Sequence, residues 1–232
     1  MKKQVLCDPL DDISKIIVTA DDTKSEHNIK MVVIGESGVG KTSIVQRAKN
    51  KSDNNYKSTV YFEHSWKNYL INDTVIRIMI WDTCGQELYH SIVKHFYKEC
   101  LIAMIVFAID DINSFEKCEN WLKELKENAG DDDIVIALIG NKTDLEKDRL
   151  INKEIVEQFV NKNKIDYYEE CSALTGDKVE EIFKQCVRVI YNRFIVPILN
   201  NKNSNLIDGT RTSVDLSKPN SSYKDCLRCM EK

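Results

Sequence analysis

The feature that most constrains this chain is the stretch Gly-Glu-Ser-Gly-Val-Gly-Lys-Thr at positions 35–42. It matches the phosphate-binding pattern G-x-x-x-x-G-K-[ST], which is informative where a strand precedes it and a helix follows. Here the apolar run 29–34 precedes it, and residues 42–49 can open a helix. Glycines let the backbone wrap around anionic oxygens, so that N–H groups and the helix N-terminus point at phosphates. The stretch therefore predicts a nucleoside phosphate site.

Individual side chains of this phosphate loop are candidates for chemistry. Lys41 is expected to reach the β- and γ-phosphates. The Thr42 hydroxyl is a hard oxygen ligand that suits Mg²⁺. The other expected nucleotide contacts in the loop are Gly35, Ser37, Gly38, Val39, Gly40 and Ser43. A chance match in a flexible loop is the alternative, and the strand and helix around the motif argue against it.

A second motif, Asn141-Lys142-Thr143-Asp144, follows the apolar run 134–139. A strand that ends there would place the motif where open α/β sheets bind ligands. The Asp144 carboxylate can accept hydrogen bonds from the N1–H and 2-amino group of guanine, a donor pattern that adenine does not present. Alone the tetrapeptide is weak, because a polar loop is its default interpretation.

A third motif, Trp-Asp-Thr-Cys-Gly-Gln-Glu at positions 81–87, follows the strand-like run 76–80. Asp82, at the end of a strand, can hold Mg²⁺ through a water molecule. Gly85 can offer its N–H to a γ-phosphate when its loop closes. The three motifs together predict one site for a guanine nucleotide and its metal.

With these motifs in order, the chain resembles the Ras superfamily of small GTPases, and most closely its Rab branch. The resemblance covers residues 29 to about 196 and includes a fourth motif, Cys-Ser-Ala at positions 171–173. Residues 88–97 resemble the Rab switch II helix, whose partly exposed aromatic side chains contact effectors.

The resemblance implies a role for each matching residue. Gln86 would orient the attacking water, so Gln86, Lys41 and Thr59 are the expected catalytic residues. Thr59 would bind Mg²⁺ and the γ-phosphate, Thr42 would bind the metal directly, and Asp82 would bind it through water. Guanine would be held by Asn141, Lys142, Asp144, Ser172, Ala173 and Leu174.

The sequence also departs from the family pattern. No aromatic residue lies between Val45 and Tyr56, where the family stacks a ring on guanine. The phenylalanine of the Rab effector triad is replaced by His64, whereas its partners Trp81 and Phe96 are present. We therefore expect the chemistry to be that of the family and the effector specificity to differ.

The expected fold class is α/β, a P-loop NTPase fold of the Ras-like G-domain type. Alternating strands and helices predict a mostly parallel six-stranded sheet with one antiparallel edge strand and helices on both faces. The expected core face of one helix contains Ile155, Phe159 and Val160. A turn at Asn72-Asp73 should join the antiparallel strand to the next. The predicted strands are 29–34, 62–70, 75–80, 101–109, 134–139 and 165–168.

The chain has 232 residues, 42% of them apolar and 30% charged, which suits one globular domain and two tails. We predict a disordered N-terminal extension over 1–28, a G domain over 29–196 and a flexible tail over 197–232. The net charge of −4 without a basic stripe argues against a nucleic-acid partner. The N-terminus has no signal-peptide pattern, and the longest apolar run, 101–109, is too short to span a bilayer.

The chain has eight cysteines. Five of them are scattered without metal-ligand pairing, so reduced thiols are expected in a cytoplasmic protein: Cys84, Cys100, Cys118, Cys171 and Cys186. Cys226 and Cys229 lie near the C-terminus, where Rab proteins commonly carry prenylated cysteines. Such lipids would associate the protein reversibly with the cytoplasmic face of an internal membrane. Glu231 and Lys232 make a poor C-a-a-X ending, so an unmodified tail is the alternative.

The leading hypothesis is a Rab-like GTPase that switches between GTP and GDP, uses Mg²⁺ and recruits effectors in vesicle trafficking. The resemblance implies an exchange factor, a GTPase-activating protein and effectors as partners of the switch regions. No arginine is obviously placed to act in cis, so turnover should be slow without an activating protein. One alternative is a guanine-nucleotide-binding scaffold with little hydrolysis. Another alternative is an ATP-using P-loop protein.

Overall fold

The computed structural model describes residues 15–20, 25, 27–49, 62–83, 96–129 and 133–198. The predicted site residues Thr59, Gly85 and Gln86 lie outside these ranges. The lipidation candidates Cys226 and Cys229 lie outside them as well.

Within these described ranges seven strands form one sheet, in the order β1-β3-β4-β2-β5-β6-β7. Neighbours from β4 to β7 in this order pair in parallel, whereas β3 pairs antiparallel with both β1 and β4. The prediction of a mostly parallel sheet is therefore confirmed. The strands are β1 (Ile17–Thr19), β2 (His27–Ile34), β3 (Phe62–Ile71), β4 (Thr74–Thr83), β5 (Ile102–Ala108), β6 (Val135–Asn141) and β7 (Tyr167–Glu170).

The central strands are continuous apolar runs because both faces of the sheet are covered. Every residue of β5 and β6 is buried. One core cluster lies on the face that carries α1 and α5, and the other lies on the face that carries α2, α3 and α4. The helices are α1 (Lys41–Ala48), α2 (Ile112–Glu116), α3 (Cys118–Asn128), α4 (Lys153–Asn163) and α5 (Val179–Ile190).

Two irregular elements complete the described fold. A 3₁₀ helix at Thr143–Asp148 follows β6, and a π-helical turn at Tyr191–Ile195 continues α5. The predicted turn between β3 and β4 is confirmed, because Asn72 and Asp73 have φ values of 46° and 64°. Two consecutive left-handed residues match the right-handed twist of a hairpin, and Asn and Asp tolerate that conformation well.

The sheet has seven strands, so the prediction of six is wrong. The additional strand is β1, which lies inside the extension 1–28 that we expected to be disordered. Its short apolar sequence is too small to fold alone, but the edge of β3 supplies backbone partners and the core supplies a place for Ile16, which is 2% exposed. Tertiary contacts thus order a segment whose local sequence does not.

Two further expectations need correction. The last strand begins at Tyr167 rather than at Ile165, because Lys164 adopts a left-handed conformation at φ 55° and the Ile165 N–H donates to the Val160 carbonyl. On α4 the predicted core residue Ile155 is 52% exposed, whereas Val156 is fully buried. The other two predicted core residues, Phe159 and Val160, do pack against the core, so only the first position of the predicted face is wrong.

The part of the chain that the structure describes contains four cysteines, all of them buried free thiols: Cys100, Cys118, Cys171 and Cys186. Burial raises the pKa of Cys171 to about 12, and nearby carboxylates such as Glu169 add to the shift. Burial likewise raises the pKa of Cys186 to about 12. The thiols of Cys171 and Cys186 are therefore protonated at neutral pH.

Candidate functional site

The candidate site lies at the carboxyl ends of the parallel strands. The phosphate loop follows β2, Asp82 lies near the end of β4, and Asn141 is the last residue of β6. Because β4, β2, β5 and β6 are successive neighbours, these residues meet at one edge of the sheet.

Two glycines of the phosphate loop are required by close backbone approach. Gly35 has φ 139°, and a Cβ there would lie 2.2 Å from the Val106 carbonyl oxygen. Gly40 has φ 95°, and its Cβ would lie 2.2 Å from the Asn141 Nδ2 atom. L-residues rarely adopt either conformation, so the turn depends on these glycines.

Lys41 is the first residue of α1 and is only 6% exposed. Its ammonium donates to the Gly35 carbonyl at 2.8 Å and to the Glu36 carbonyl at 2.7 Å. The Gly40 carbonyl accepts the first helical hydrogen bond from the Ile44 N–H at 2.9 Å. A positive charge and the N-terminal amides of α1 therefore converge on one loop, which is how proteins hold phosphate.

Asp82 is a buried carboxylate, 1% exposed. Burial raises its pKa to about 6, while the Thr42 hydroxyl and the Lys41 charge act in the opposite direction. Within the described residues neither carboxylate oxygen accepts a well-formed hydrogen bond, although the Thr42 hydroxyl is near enough to act against the rise in pKa. A buried carboxylate with two unsatisfied oxygens beside a hydroxyl fits a hydrated Mg²⁺ ion.

Asn141 connects three segments of the site and is 2% exposed. Its Nδ2 donates to the Val39 carbonyl at 2.8 Å, and its Oδ1 accepts from the Ala173 N–H at 3.0 Å. The phosphate loop, the end of β6 and the loop after β7 are therefore held together by one amide.

Asp144 lies at the rim of this edge, with an exposed carboxylate. It accepts a hydrogen bond from the Ser172 hydroxyl, whose oxygen also accepts from the Thr175 N–H at 3.1 Å. Lys142, with φ 72°, turns the chain between Asn141 and Asp144, and its ammonium lies 3.3 Å from Asp110 Oδ1. The carboxylate is thus held in place by protein contacts and faces solvent, as a ligand-binding group requires.

Comparison with known proteins agrees with this geometry. A family model described as Ras family matches residues 30–192. The chain belongs to the Ras family. Ras-related protein Rab-11B of Dictyostelium discoideum is 39% identical over 189 residues, which cover 78% of this chain and 85% of that protein.

Two further relatives of this Ras-family chain come from distant organisms. GTP-binding protein ypt3 of Schizosaccharomyces pombe is 38% identical over 173 residues, covering 72% of this chain and 80% of that protein. Ras-related protein RABA1c of Arabidopsis thaliana is 36% identical over 172 residues, covering 74% of this chain and 79% of that protein. The predicted resemblance is confirmed: the protein is a small GTPase close to the Rab branch. Family membership implies guanine nucleotide binding and work with regulators and effectors.

One residue of the Ras-family site was missed by sequence analysis. Arg47, in the last turn of α1, donates through Nε to the Ala173 carbonyl at 3.0 Å and through a terminal nitrogen to the Leu174 carbonyl. It holds the loop after β7 from the side of α1. Its partner Ala173 is 126 residues away along the chain, so no local pattern could have indicated the contact.

A second missed contact supports the phosphate loop of this Ras-family protein from below. The indole N–H of Trp121, on α3, donates to the Glu36 carboxylate at 3.0 Å. Glu36 occupies a variable position of the motif, so its partner could not be inferred from the motif alone.

The predicted effector residues cluster on the surface formed by β3 and β4. The centroid of the Trp81 ring lies 4.8 Å from that of the His64 ring and 4.9 Å from that of the Phe96 ring. Partial burial, with a smaller effect of the Lys49 charge, lowers the pKa of His64 from its ordinary value. Within the described ranges no helix combines the length and the apolar composition that a bilayer crossing requires.

Proposed function

We propose that this chain is a Rab-type GTP/GDP switch in vesicle trafficking that uses Mg²⁺ and hydrolyses GTP slowly until an activating protein assists. The observation that carries this proposal is the Asn141 amide, which joins the phosphate loop to the segment beside Asp144. It brings a cradle for phosphates and a carboxylate for guanine into a single site.

The phosphate loop holds the nucleotide's charged end in this proposal. Lys41 binds the β- and γ-phosphates, and backbone amides between Gly35 and Ser43 supply further donors, including those of Ser37, Gly38, Val39 and Gly40. The buried position of Lys41 supports this role, because a desolvated ammonium attracts an anion more strongly than a solvated one.

Thr42 and Thr59 would hold Mg²⁺ through their hydroxyls, and Asp82 would contact it through water. When bound, the ion neutralises charge on the phosphates. The unsatisfied oxygens of Asp82 support this assignment, because a water ligand of the metal would donate to them.

The hydrolytic step is an in-line attack of water on the γ-phosphorus. Gln86 orients the water, and Lys41 with the loop amides stabilises charge on the transferred group. Thr59 and Gly85 hold the γ-phosphate, and its loss releases both segments.

Guanine is recognised by Asp144, which accepts from the N1–H and the 2-amino group. Ser172 and Arg47 hold the segments around it, and Ala173 with Leu174 completes the pocket. In this proposal Asn141 acts by positioning the loops. Lys142, paired with Asp110, packs beside the base.

Single-turnover GTP hydrolysis tests the enzymatic part. Gln86→Leu should lose at least tenfold of the rate, because the water then lacks its orienting group. Gln158→Leu on the exposed face of α4 is the matched control and should hydrolyse GTP like wild type. Equal rates for all three proteins would favour the guanine-nucleotide scaffold instead.

Base selection is tested by Asp144→Asn. The asparagine amide can donate to a 2-oxo group and no longer accepts two hydrogen bonds from guanine, so xanthosine nucleotides should gain affinity and GTP should lose at least tenfold. Asp148→Asn, in the same 3₁₀ helix, is the control. Competition of GDP binding by ADP would contradict the proposal and support an ATP-using protein.

Membrane association is proposed to occur through prenylation of Cys226, Cys229 or both. Mass spectrometry of the C-terminal peptide from native cells should show the added isoprenoid mass. An unmodified peptide in the membrane fraction would overturn this part and leave the GTPase proposal intact.

A further inference from the structure

The outer edge of β3 carries a short strand that the switch chemistry does not use. β1 pairs antiparallel with β3 at three positions, Ile17 with Leu70, Val18 with Tyr69 and Thr19 with Asn68. β3 itself runs from Phe62 to Ile71, so β1 covers only the end that lies far from the switch segments.

Two side-chain contacts fix β1 at this edge. Ile16 is 2% exposed and belongs to the core cluster that also contains Tyr69 and Ile71. Asn68 is fully buried, and its Nδ2 donates to the Ala20 carbonyl at 3.0 Å. The buried Ile16 side chain therefore precedes the three paired residues, and the hydrogen bond from Asn68 to the Ala20 carbonyl follows them.

The side-chain amide of Asn68 is itself held in a fixed orientation. Its Oδ1 accepts from Arg77 Nε at 2.9 Å, which leaves the amide N–H₂ pointing at the chain that passes along the edge. The donor belongs to β3 and its acceptor is a backbone carbonyl, so the contact is independent of the side chain that the paired segment carries at position 20.

The exposed side chains of β1 contribute little to the pairing. Ile17 is 55% exposed and Val18 is 41% exposed. Recognition thus depends on strand pairing, one buried apolar side chain and one carbonyl. These are the features by which a sheet edge recognises an added strand.

We propose that the outer edge of β3 at Asn68–Leu70 is a strand-acceptor site that β1 occupies in cis. A partner that binds this edge must displace β1 with an extended segment of its own. That segment carries an apolar residue in the Ile16 position, three residues that pair with β3, and a backbone carbonyl opposite Asn68.

The balance of contacts makes this displacement feasible. Three paired residues and one buried side chain oppose the conformational entropy of ordering the segment, so the paired state is favoured by only a small difference between two larger contributions. β1 also protects the edge, because an uncovered strand with free N–H and C=O groups is a template for unwanted association.

The experiment uses the full chain loaded with GDP and a fluorescent peptide of residues 14–22, Ser-Lys-Ile-Ile-Val-Thr-Ala-Asp-Asp. Wild type should bind the peptide weakly because β1 occupies the site. Ile16→Asp should release β1 and bind the peptide at least tenfold more tightly. The exposed neighbour Ile17→Asp is the matched control and should behave like wild type.

The peptide supplies its own control. A peptide that carries Ile16→Asp should not bind the Ile16→Asp chain, whereas one that carries Ile17→Asp should bind it. Equal binding of both peptides, or no binding of the wild-type peptide to an Ile16→Asp chain that retains GDP, would overturn the proposal.

Hydrogen exchange on wild type provides a test if Ile16→Asp fails to fold. In an antiparallel edge strand only alternate N–H groups face the neighbouring strand, so the N–H groups of residues 17–19 that face β3 should be protected in the free chain. Excess peptide should speed their exchange while the N–H groups of residues 68–70 stay protected. Absence of protection at all three of residues 17–19 would show that β1 does not occupy the edge. Neither readout involves hydrolysis, so a failure here is distinct from a failure of the proposed GTPase activity.

Discussion

At the scale of single residues, the nucleotide site depends on a few buried polar side chains that connect distant loops. Asn141 is the clearest of these, because its contacts reach Val39, 102 residues away, and Ala173, 32 residues away. A buried amide with both ends bonded is rigid, and its removal leaves two backbone groups without partners.

Asn141→Ala should therefore loosen both loops. Each unpaired buried backbone group costs about 1–3 kcal/mol, so release of a fluorescent GDP analogue should be at least tenfold faster. Asn163→Ala is the matched control, because its side chain donates only to the Phe159 carbonyl within α4. A release rate equal to wild type would contradict the bracing role of Asn141.

Gly40 and Gly38 offer a comparison of space at similar backbone angles. An alanine at Gly40 would combine a strained φ of 95° with a 2.2 Å contact to Asn141, whereas Gly38, at φ 79°, has nothing within 4 Å of its Cβ position. Gly38→Ala should cost about 1–2 kcal/mol of unfolding free energy from backbone strain. Gly40→Ala should cost clearly more, as urea unfolding of the nucleotide-free protein would show.

Sequence analysis could identify most described residues of the site because each belongs to a local motif. It could not identify Arg47, whose role depends on the approach of α1 to the loop after β7. It proposed Asn141 as a guanine contact but could not indicate that both polar atoms of its side chain also bond to protein backbone. Motif spacing indicates which residues gather, and packing decides what each one touches.

At the scale of elements, β7 is tied to the segment after the 3₁₀ helix by a buried charge pair. Arg149 donates to both carboxylate oxygens of Glu170, at 2.9 Å and 2.7 Å, and the Tyr168 hydroxyl donates to Glu170 at 2.6 Å. Burial alone would raise the pKa of Glu170, but these hydrogen bonds outweigh it and hold the pKa below the ordinary value of 4.5.

This pair should make stability depend on pH in a defined direction. A carboxyl group whose pKa is lower in the folded state stabilises the fold above its unfolded pKa and loses that contribution as pH falls through the folded value. Arg149→Met should cost about 1.5–3 kcal/mol at pH 7, and its difference from wild type should shrink below pH 4.5.

Urea unfolding of both proteins between pH 7 and pH 3.5 measures this difference. Lys162→Met is the control, because its partner Glu119 is exposed and such pairs contribute about 0–1 kcal/mol. A difference between Arg149→Met and wild type that stays constant with pH would contradict the assignment.

Elements with strong periodicity could be predicted from the sequence, and elements that depend on neighbours could not. The apolar runs of β5 and β6 indicate buried strands without any tertiary information. β1 has only a short apolar run, and its order comes from the edge of β3. The shift from Ile155 to Val156 on α4 has the same origin, because adjacent apolar residues leave the exact orientation of a helix to its packing.

At the scale of the whole molecule, the site spans loops that follow four different strands, so nucleotide should stabilise the entire domain. A ligand that binds only the folded state at one hundred times its Kd adds about 2.7 kcal/mol to the unfolding free energy. We expect this gain with GDP and no comparable gain with ADP if Asp144 selects guanine as proposed. Urea unfolding at matched nucleotide concentrations measures both, and equal stabilisation would contradict guanine selection.

The overall topology was predictable because alternating strands and helices permit few right-handed arrangements. The parallel centre and the reversed strand β3 both follow from connection lengths visible in the sequence. The pairing of β1 with the outer edge of β3 does not follow from connection lengths, because the two strands are distant from each other along the chain.

The buried thiols described above give the protein a set of internal reporters. A thiol-directed label reacts only with an accessible thiolate. Cys171 lies beside the Asn141 side chain, where burial blocks access and raises the thiol pKa, so it should not react in the folded protein. The rate at which Cys171 reacts with such a label therefore measures how fast the proposed guanine pocket opens. Cys186 is buried on α5, so the rate at which it reacts with the label measures unfolding of the domain.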